Sequence, residues 1–263
     1  MGNPSVWGVW KSSVSVCRGN SASIQVFIDL DLCFVRVYPH ANMDSLLSRL
    51  FSSEEEELYI LDCMGYFMVF MAACTFVTLL FENVPYGRYA TSKYGFPVNV
   101  RLAWFIQELP AFLVPFCLVF WTSSAKTSEL PNQLLIAMYF CHYVQRSLIY
   151  PFLIRGGKPT PFVSFVLAIV FCLYNGYMQI RYLSHYAEYP AHWVTHPCFI
   201  AGSALWLVGW LMNVHSDHIL RNLRKPGETG YKIPTGKGLS HQTLGTIFCQ
   251  SRIHFSIYFL EFV

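Results

Sequence analysis

The sequence predicts an all-α fold, a polytopic helical bundle that spans a membrane. Hydrophobic residues make up 54% of the 263 positions, aromatic residues 17% and charged residues only 13%, whereas soluble domains carry about 25% charged residues. So few charged side chains cannot cover the exterior of a soluble domain with this much apolar surface. The same figures exclude a disordered chain, a coiled coil and a secreted module stapled by disulfides.

Five apolar segments are long enough to cross a bilayer, which takes about 20 residues. They comprise residues 58–81, 102–121, 134–154, 162–180 and 198–214. Because they are apolar all round, they are typical of helices in lipid or in a bundle and not of soluble amphipathic helices. A sixth segment, residues 244–263, is interrupted by Gln250, Arg252 and His254, and we do not expect it to span.

The connections between these segments carry positive charge asymmetrically. One alternate set contains ten Lys and Arg residues: Arg88, Lys93, Arg101, Arg155, Lys158, Arg221, Arg224, Lys225, Lys232 and Lys237. The other set contains three: Arg49, Lys126 and Arg181. Because cytosolic loops are enriched in Lys and Arg, we expect the first set on the cytosolic side. The segment before the first span is then lumenal or extracellular.

Both ends of the chain differ in character from this bundle. Residues 1–42 are mixed in composition and lack a convincing secretory signal, so we interpret them as an atypical extension, with disorder as one alternative. Residues 43–234 form the predicted transmembrane bundle, and residues 235–263 form a divergent C-terminal tail.

Several classes of partner and site are disfavoured by composition and spacing. A net charge of +3 without a basic stripe argues against nucleic acid. The nine cysteines include no C-x-x-C pair, so neither a zinc site nor a disulfide framework is indicated. We expect the cysteines in the apolar segments to be small core residues. His215 and His218 have no obvious third ligand, so no metal site is expected.

Gln107 and Glu108 are adjacent polar residues in the middle of the second segment, just before Pro110. A charge in the hydrocarbon region costs at least about 2.5–3.5 kcal/mol, so ionisable residues there are functional candidates. One interpretation is a hydrogen bond that holds two helices together. The other is a reactive carboxyl group, which we favour because the pair supplies more polarity than packing needs.

The third segment carries a polar and aromatic stripe. His142, Arg146 and Tyr150 follow one another at i,i+4 spacing, and Tyr143 lies at the edge of the same helical face. We interpret this stripe as the wall of a cavity. The alternative is that Arg146 simply pairs with Glu108.

A polar helix face follows the fifth segment at the predicted cytosolic mouth. It comprises Asn213, Asp217, Arg221 and Arg224, and after a turn it is followed by Tyr231 and Lys232. Clustered arginines can bind phosphate through paired hydrogen bonds, and amide and carboxylate groups can bind ribose. This chemistry suits a phosphorylated, nucleotide-like cofactor, and the alternative is a juxtamembrane segment that binds anionic lipid. No G-x-G-x-x-G motif occurs, so a soluble dinucleotide fold is not indicated.

Four motifs occur together and in order: WFIQELP at 104–110, HYxxR at 142–146, YPFLIRGGKP at 150–159, and NVHSD at 213–217 leading to YKIP at 231–234. Over residues 43–234 the chain resembles the steroid 5α-reductases, type 1 in particular. The resemblance implies a seven-span membrane enzyme of the endoplasmic reticulum. Such enzymes reduce the 4,5 double bond of 3-oxo-Δ4 steroids, such as testosterone and progesterone, with NADPH.

The resemblance also implies roles for individual residues. Glu108, Tyr143 and Gln107 match catalytic positions around the steroid enone, with Glu108 and Tyr143 hydrogen-bonded to its 3-oxo group. The positions that match the NADPH pocket are Arg146, Arg155, Asn213, Asp217, Arg224, Tyr231 and Lys232.

Alternatives remain at this level. The tail after Pro234 departs from the family pattern, so one alternative is a catalytically impaired splice or truncation variant. Another is a related enoyl-thioester or polyprenol reductase, and a third is a membrane methyltransferase, against which residues 213–232 argue. Steroid and membrane lipid are the expected partners, and the sequence leaves the oligomeric state open.

Overall fold

The computed structural model of the chain describes residues 41–81, 91–124, 126–190 and 192–222. Eight α-helices lie in these ranges: Ala41–Leu50 (α1), Glu54–Leu79 (α2), Val100–Glu108 (α3), Pro110–Trp121 (α4), Leu130–Tyr143 (α5), Tyr150–Leu153 (α6), Phe162–Arg181 (α7) and Pro197–Asn222 (α8). The other described elements are two short strands, Pro97–Val98 (β1) and Thr160–Pro161 (β2), two π-helices, Val144–Ile149 and Tyr182–Tyr186, and three 3₁₀-helices, Ser92–Tyr94, Lys126–Ser128 and Trp193–Thr195. Predictions for residues 1–40, 82–90 and 223–263, including those for Arg224, Tyr231 and Lys232, lie outside the described residues.

Four of the five expected spans are confirmed as helices long and apolar enough to cross a membrane. Within the described ranges these are Glu54–Leu79, Val100–Trp121, Phe162–Tyr186 and Pro197–Asn222. The all-α membrane bundle is therefore confirmed.

The one expected span that is not among these four is the third segment, residues 134–154, although it is helical. His142, Gln145 and Arg146 lower its mean hydropathy, and all three side chains are buried against neighbouring helices. Polar residues within a membrane bundle characteristically face its interior. The segment is therefore an interior helix of the bundle, with its polar stripe turned away from lipid.

The core lies between α4, α5 and α7. Its most deeply buried apolar residues include Ala111, Leu118, Leu135, Tyr139 and Ile180. Gly176 permits the close approach of α7 to α4, because a Cβ at that position would lie only 3.2 Å from Pro115 Cδ. Small residues at helix contacts are the usual means of close packing between membrane helices.

Pro110 does not turn the chain between α3 and α4. Leu109 keeps helical dihedrals of φ −56° and ψ −40°, and its carbonyl accepts a hydrogen bond of 2.9 Å from the Leu113 amide. The backbone carbonyl of Glu108 accepts a hydrogen bond of 2.8 Å from Ser147 Oγ. Pro110 therefore interrupts the backbone hydrogen bonds without ending the helical conformation. The backbone carbonyl of Glu108 is instead bound by Ser147, which lies in the π-helix Val144–Ile149.

The two π-helices each extend a longer helix. Val144–Ile149 joins α5 to α6, so that residues 130–153 are continuously helical, and Tyr182–Tyr186 extends α7. A π-helix bonds residue i to i+5, which shifts the faces predicted from i,i+4 spacing, and such segments often occur at functional sites.

One end of the bundle is closed by the two strands and by arginine contacts. β1 pairs antiparallel with β2 in the register Pro97↔Pro161 and Val98↔Thr160. Nearby, Arg101 Nε donates to the Ile154 carbonyl at 2.9 Å, and Arg155 Nη1 donates to Asn222 Oδ1 at 3.3 Å.

The opposite end holds the other group of loop cations. Lys126 forms an ion pair with Glu188, and Arg181 forms one with Glu57. The Lys126 ammonium group lowers the pKa of the Glu188 carboxyl. The described cations of the two sets therefore lie at opposite ends, as the orientation prediction requires, while the assignment of one end to the cytosol stays a prediction.

Glu57, in the first turn of α2, is the centre of a buried hydrogen-bond network. Arg181 Nε and Nη2 each donate to its carboxylate at 2.8 Å. Tyr177 Oη donates at 2.5 Å and Tyr186 Oη at 2.7 Å. Glu57 is 3% exposed and Arg181 is 4% exposed, so this network ties α2 to the end of α7.

The expectation of buried cysteines was wrong for three positions. Cys63, Cys74 and Cys141 are exposed on the outside of the bundle, and Cys172 is buried. A lipid-facing exterior is itself apolar, so a small apolar residue gains no preference for the inside of such a bundle.

Candidate active site

Helix α7 brings the two predicted catalytic groups to one buried face. Cys172 Sγ lies 3.9 Å from Glu108 Oε2, within the range of a thiol hydrogen bond. One turn further along, Asn175 Nδ2 donates to Tyr143 Oη at 3.0 Å. Glu108 and Tyr143 come from separate helices, α3 and α5, and they meet neighbouring positions of the same helix. The structure therefore brings together the predicted carboxyl and phenol.

The ring of Tyr139 forms the inner wall of this site. Its centroid lies 4.6 Å from that of Tyr143, and its hydroxyl donates to the Ala111 carbonyl at 3.0 Å. Tyr139 and Asn175 are each 1% exposed and Tyr143 is 3% exposed. Gln107 is also buried beside Glu108. Electrostatic interactions in such a dry setting are stronger than in water.

Arg146 forms the centre of a second polar cluster. Its Nη1 donates to Asp217 Oδ2 at 3.2 Å. Its guanidinium carbon lies 4.5 Å from the centre of the Trp104 ring and 4.8 Å from that of the Tyr150 ring. Arg146 and Asp217 are each 8% exposed, so the ion pair is buried and its cation is held by two aromatic faces.

These contacts bear on one alternative left by the sequence. Arg146 forms an ion pair with Asp217, and its charge also acts on Glu108. Arg146 therefore interacts both with Glu108 of the first cluster and with Asp217 of α8, and it is not a partner of Glu108 alone.

The C-terminal part of α8 carries more of the predicted binding residues. Asn213 is half-buried one turn before Asp217. At the helix end, Arg155 reaches Asn222, and Arg221 Nη2 lies 3.0 Å from His218 Nδ1.

The donor set on this side of the bundle fits a phosphorylated nucleotide. Arg155 is exposed and contacts Asn222 at the end of α8. Arg146 contacts Asp217 of the same helix and is buried further inside the bundle. Guanidinium groups bind phosphate through paired hydrogen bonds. Among the described residues, the buried Oε1 of Gln145 accepts no hydrogen bond, and this side chain neighbours Asp217. It offers an acceptor that a ligand amide or hydroxyl can satisfy.

Comparison with known proteins identifies the family of the chain. A family model described as "3-oxo-5-alpha-steroid 4-dehydrogenase" matches residues 158–259. The rat (Rattus norvegicus) 3-oxo-5-alpha-steroid 4-dehydrogenase 1 is 56% identical over 183 residues, which cover 70% of this chain and 71% of the relative. The chain belongs to the 3-oxo-5-alpha-steroid 4-dehydrogenase family.

Within this family the chain is more similar to the type 1 relatives compared than to the type 2 relative. The human (Homo sapiens) 3-oxo-5-alpha-steroid 4-dehydrogenase 1 is 46% identical over 189 residues, covering 72% of this chain and 73% of the relative. The rat type 2 protein is 41% identical over 164 residues, covering 62% and 64%. The resemblance to type 1 is confirmed. Membership of this family makes the chain an oxidoreductase and implies a nicotinamide cofactor.

Several residues of the site were not assigned from the sequence. Trp104 lies within the WFIQELP motif, but no spacing rule connects it with Arg146. Asn175 is an isolated amide in an apolar segment, and the rule that intramembrane polar groups are functional could have identified it. Cys172 and Ser147 gave no signal, because small polar residues are common in membrane helices.

Proposed function

We propose that the protein is an NADPH-dependent steroid 5α-reductase of the endoplasmic reticulum membrane. Its substrate is a 3-oxo-Δ4 steroid such as testosterone, and its reaction is reduction of the 4,5 double bond. The observation that supports this most directly is the meeting of Glu108 and Tyr143 at neighbouring positions of α7, within 3.9 Å of Cys172 and 3.0 Å of Asn175 respectively. The location in the endoplasmic reticulum rests on the resemblance to the family.

Glu108 and Tyr143 act on the carbonyl end of the substrate. The protonated Glu108 carboxyl and the Tyr143 hydroxyl donate hydrogen bonds to the 3-oxo group, which makes C5 electron-poor. When bound, NADPH supplies the hydride that C5 accepts. Negative charge then develops on the 3-oxygen, and the two donors stabilise the resulting enolate until C4 takes up a proton that comes from solvent, so that one hydride and one proton are added across the double bond. One such donor contributes about 3–4 kcal/mol in a site that excludes water.

The second cluster would hold the cofactor. Arg146, Asn213 and Asp217 line the inner part of the proposed pocket, and Arg155 lies at its mouth. The neighbouring Trp104 and Tyr150 rings and the pair with Asp217 fix the direction of the Arg146 guanidinium. A preoriented guanidinium loses less freedom when it binds phosphate. Arg224, Tyr231 and Lys232 are assigned to the same pocket by resemblance alone.

The test is turnover by the full chain in detergent, with testosterone and either NADPH or NADH, followed by mass spectrometry of the steroids. We expect the 5α-dihydro product with NADPH. Glu108→Gln should lower kcat by about 100-fold or more, because it removes an acidic donor. Glu129→Gln is the matched control, since this exposed glutamate precedes α5 and its side chain makes no capping bond.

Two results would contradict the proposal. One is the absence of 5α-reduction by a well-folded wild-type chain with NADPH. The other is full activity of Glu108→Gln, which would remove the carboxyl from the reaction.

A further inference from the structure

Two amide side chains of α7 form a buried chain that ends at the Tyr143 hydroxyl. Gln179 Nε2 donates to Asn175 Oδ1 at 2.8 Å, and Asn175 Nδ2 donates to Tyr143 Oη at 3.0 Å. Asn175 is 1% exposed and Gln179 is 2% exposed. Burying an amide in an apolar region costs several kcal/mol unless it is hydrogen-bonded, so these groups need a reason to be there.

The chain has a direction. An amide donates through its nitrogen and accepts through its oxygen, so Gln179 fixes which end of Asn175 faces Tyr143. A phenol has one proton and can also accept. Because its oxygen accepts from Asn175, the Tyr143 proton is left to be donated to another acceptor.

Tyr139 has a separate role in this arrangement. Its own hydroxyl donates to the Ala111 carbonyl, and its ring packs 4.6 Å from that of Tyr143. Tyr139 thus restrains the phenol ring, and its side chain also interacts with that of Tyr143, whereas Asn175 donates a hydrogen bond directly to the phenol oxygen.

We propose that Asn175, oriented by Gln179, is a positioning residue that directs the Tyr143 hydroxyl proton toward the 3-oxo group of the steroid. This inference rests on the proposed function. The amide also stabilises the partial negative charge that Tyr143 oxygen acquires as its proton is shared with the enolate. Asn175 acts through Tyr143 and does not itself touch the substrate.

The test is a set of variants of the full chain assayed for kcat and KM with testosterone and NADPH, per mole of monodisperse protein. Asn175→Leu removes the donor, and kcat should fall about 10-fold, the value of one hydrogen bond in the transition state. Asn175→Val removes the same donor in a smaller side chain, and kcat should again fall about 10-fold. KM for the steroid should change less than about twofold in both, because the lost interaction strengthens only in the transition state.

A double-mutant cycle separates positioning from a structural role. In a Tyr143→Phe background no hydroxyl remains to be directed, so Asn175→Leu should cause no further fall in kcat. Gln179→Met acts from one link away: it removes the amide that donates to Asn175, so the Asn175 side chain loses its fixed orientation and kcat should fall although Tyr143 is untouched.

Asn132→Leu is the matched control. Asn132 is an equally buried amide, but it donates only to the backbone carbonyls of Leu183 and Ala187, at 2.7 and 3.0 Å. Its loss should lower thermal stability and leave kcat per folded molecule unchanged.

The outcomes distinguish the two proposals. If Tyr143→Phe keeps full activity, or the wild-type chain does not reduce the steroid, the proposed function fails. If Tyr143→Phe is impaired and Asn175→Leu lowers kcat equally in both backgrounds, or lowers it in neither, the positioning role alone is refuted. If every Asn175 variant fails to fold, Gln179→Met decides, and unchanged kcat in that variant would also refute the positioning role.

Discussion

Removal of the Glu57 carboxylate should be among the most destabilising single changes in the bundle. Glu57 accepts two hydrogen bonds from Arg181, one from Tyr177 and one from Tyr186. Glu57→Leu leaves the guanidinium, which is 4% exposed, without its counter-charge. Removing one partner of a buried pair costs about 3–5 kcal/mol. For a chain of this length each kcal/mol shifts the unfolding temperature by about 2–4 °C, so we expect a fall of about 10 °C.

The measurement is thermal unfolding in a mild detergent, followed by tryptophan fluorescence. The double variant Glu57→Leu/Arg181→Met should recover most of the loss, since replacing a whole buried ion pair with apolar side chains is often neutral. Glu55→Gln is the control, because Glu55 is an exposed neighbour in the same helical turn. A Glu57→Leu protein that unfolds within about 2 °C of wild type would refute the reasoning, as would a double variant less stable than the single.

Two further predictions concern the cofactor cluster and the loop ion pair. Arg146→Lys should raise the KM for NADPH by about 10-fold, because an ammonium group cannot stack as a planar guanidinium does against Trp104. Arg49→Lys, on the exposed surface of α1, should leave the KM for NADPH unchanged. If both variants have the same KM for NADPH, the assignment of Arg146 to the cofactor pocket is contradicted. Lys126 lowers the pKa of the Glu188 carboxyl. The stabilisation that this ion pair provides is therefore present above the pKa that the carboxyl has in the unfolded chain, and it is lost as pH falls through the lower pKa of the folded protein. The small difference in unfolding temperature between wild type and Glu188→Gln should therefore shrink as pH falls and disappear once this carboxyl is protonated in the folded protein, and a difference that is the same in acid as at neutral pH would argue against the pair.

The architecture could be predicted because hydropathy is a local property. The apolar segments and the alternating loop charges follow from composition alone, and the structure confirms four spans and separates the two sets of described cations. The start of the first membrane span, α2, was harder to predict. Ser53 caps α2 by accepting from the Glu56 amide at 3.1 Å, so the helix begins at Glu54, before residue 58, where the apolar segment starts.

The candidate site was predicted in its residue types and only partly in its contacts. Glu108, Tyr143, Arg146 and Asp217 were all singled out, and the structure gathers them into two adjoining clusters. The partner of Arg146 was not predictable, because Asp217 lies 71 residues away and spacing rules describe only a single helix. The π-helix Val144–Ile149 also changes the angular spacing on which the polar stripe was based.

The Arg146–Asp217 pair has a consequence for how the bundle is made. The helical segment of residues 130–153 is synthesised and delivered to the membrane before α8 exists, and the two charges are separated by 71 residues of chain. At about 5–20 residues per second, roughly 4–14 s pass before Asp217 follows Arg146 out of the ribosome. An unpaired arginine in the hydrocarbon costs at least about 2.5 kcal/mol. We therefore expect the segment of residues 130–153 to be only weakly stable in the hydrocarbon until α8 is inserted, when the Arg146–Asp217 ion pair can form.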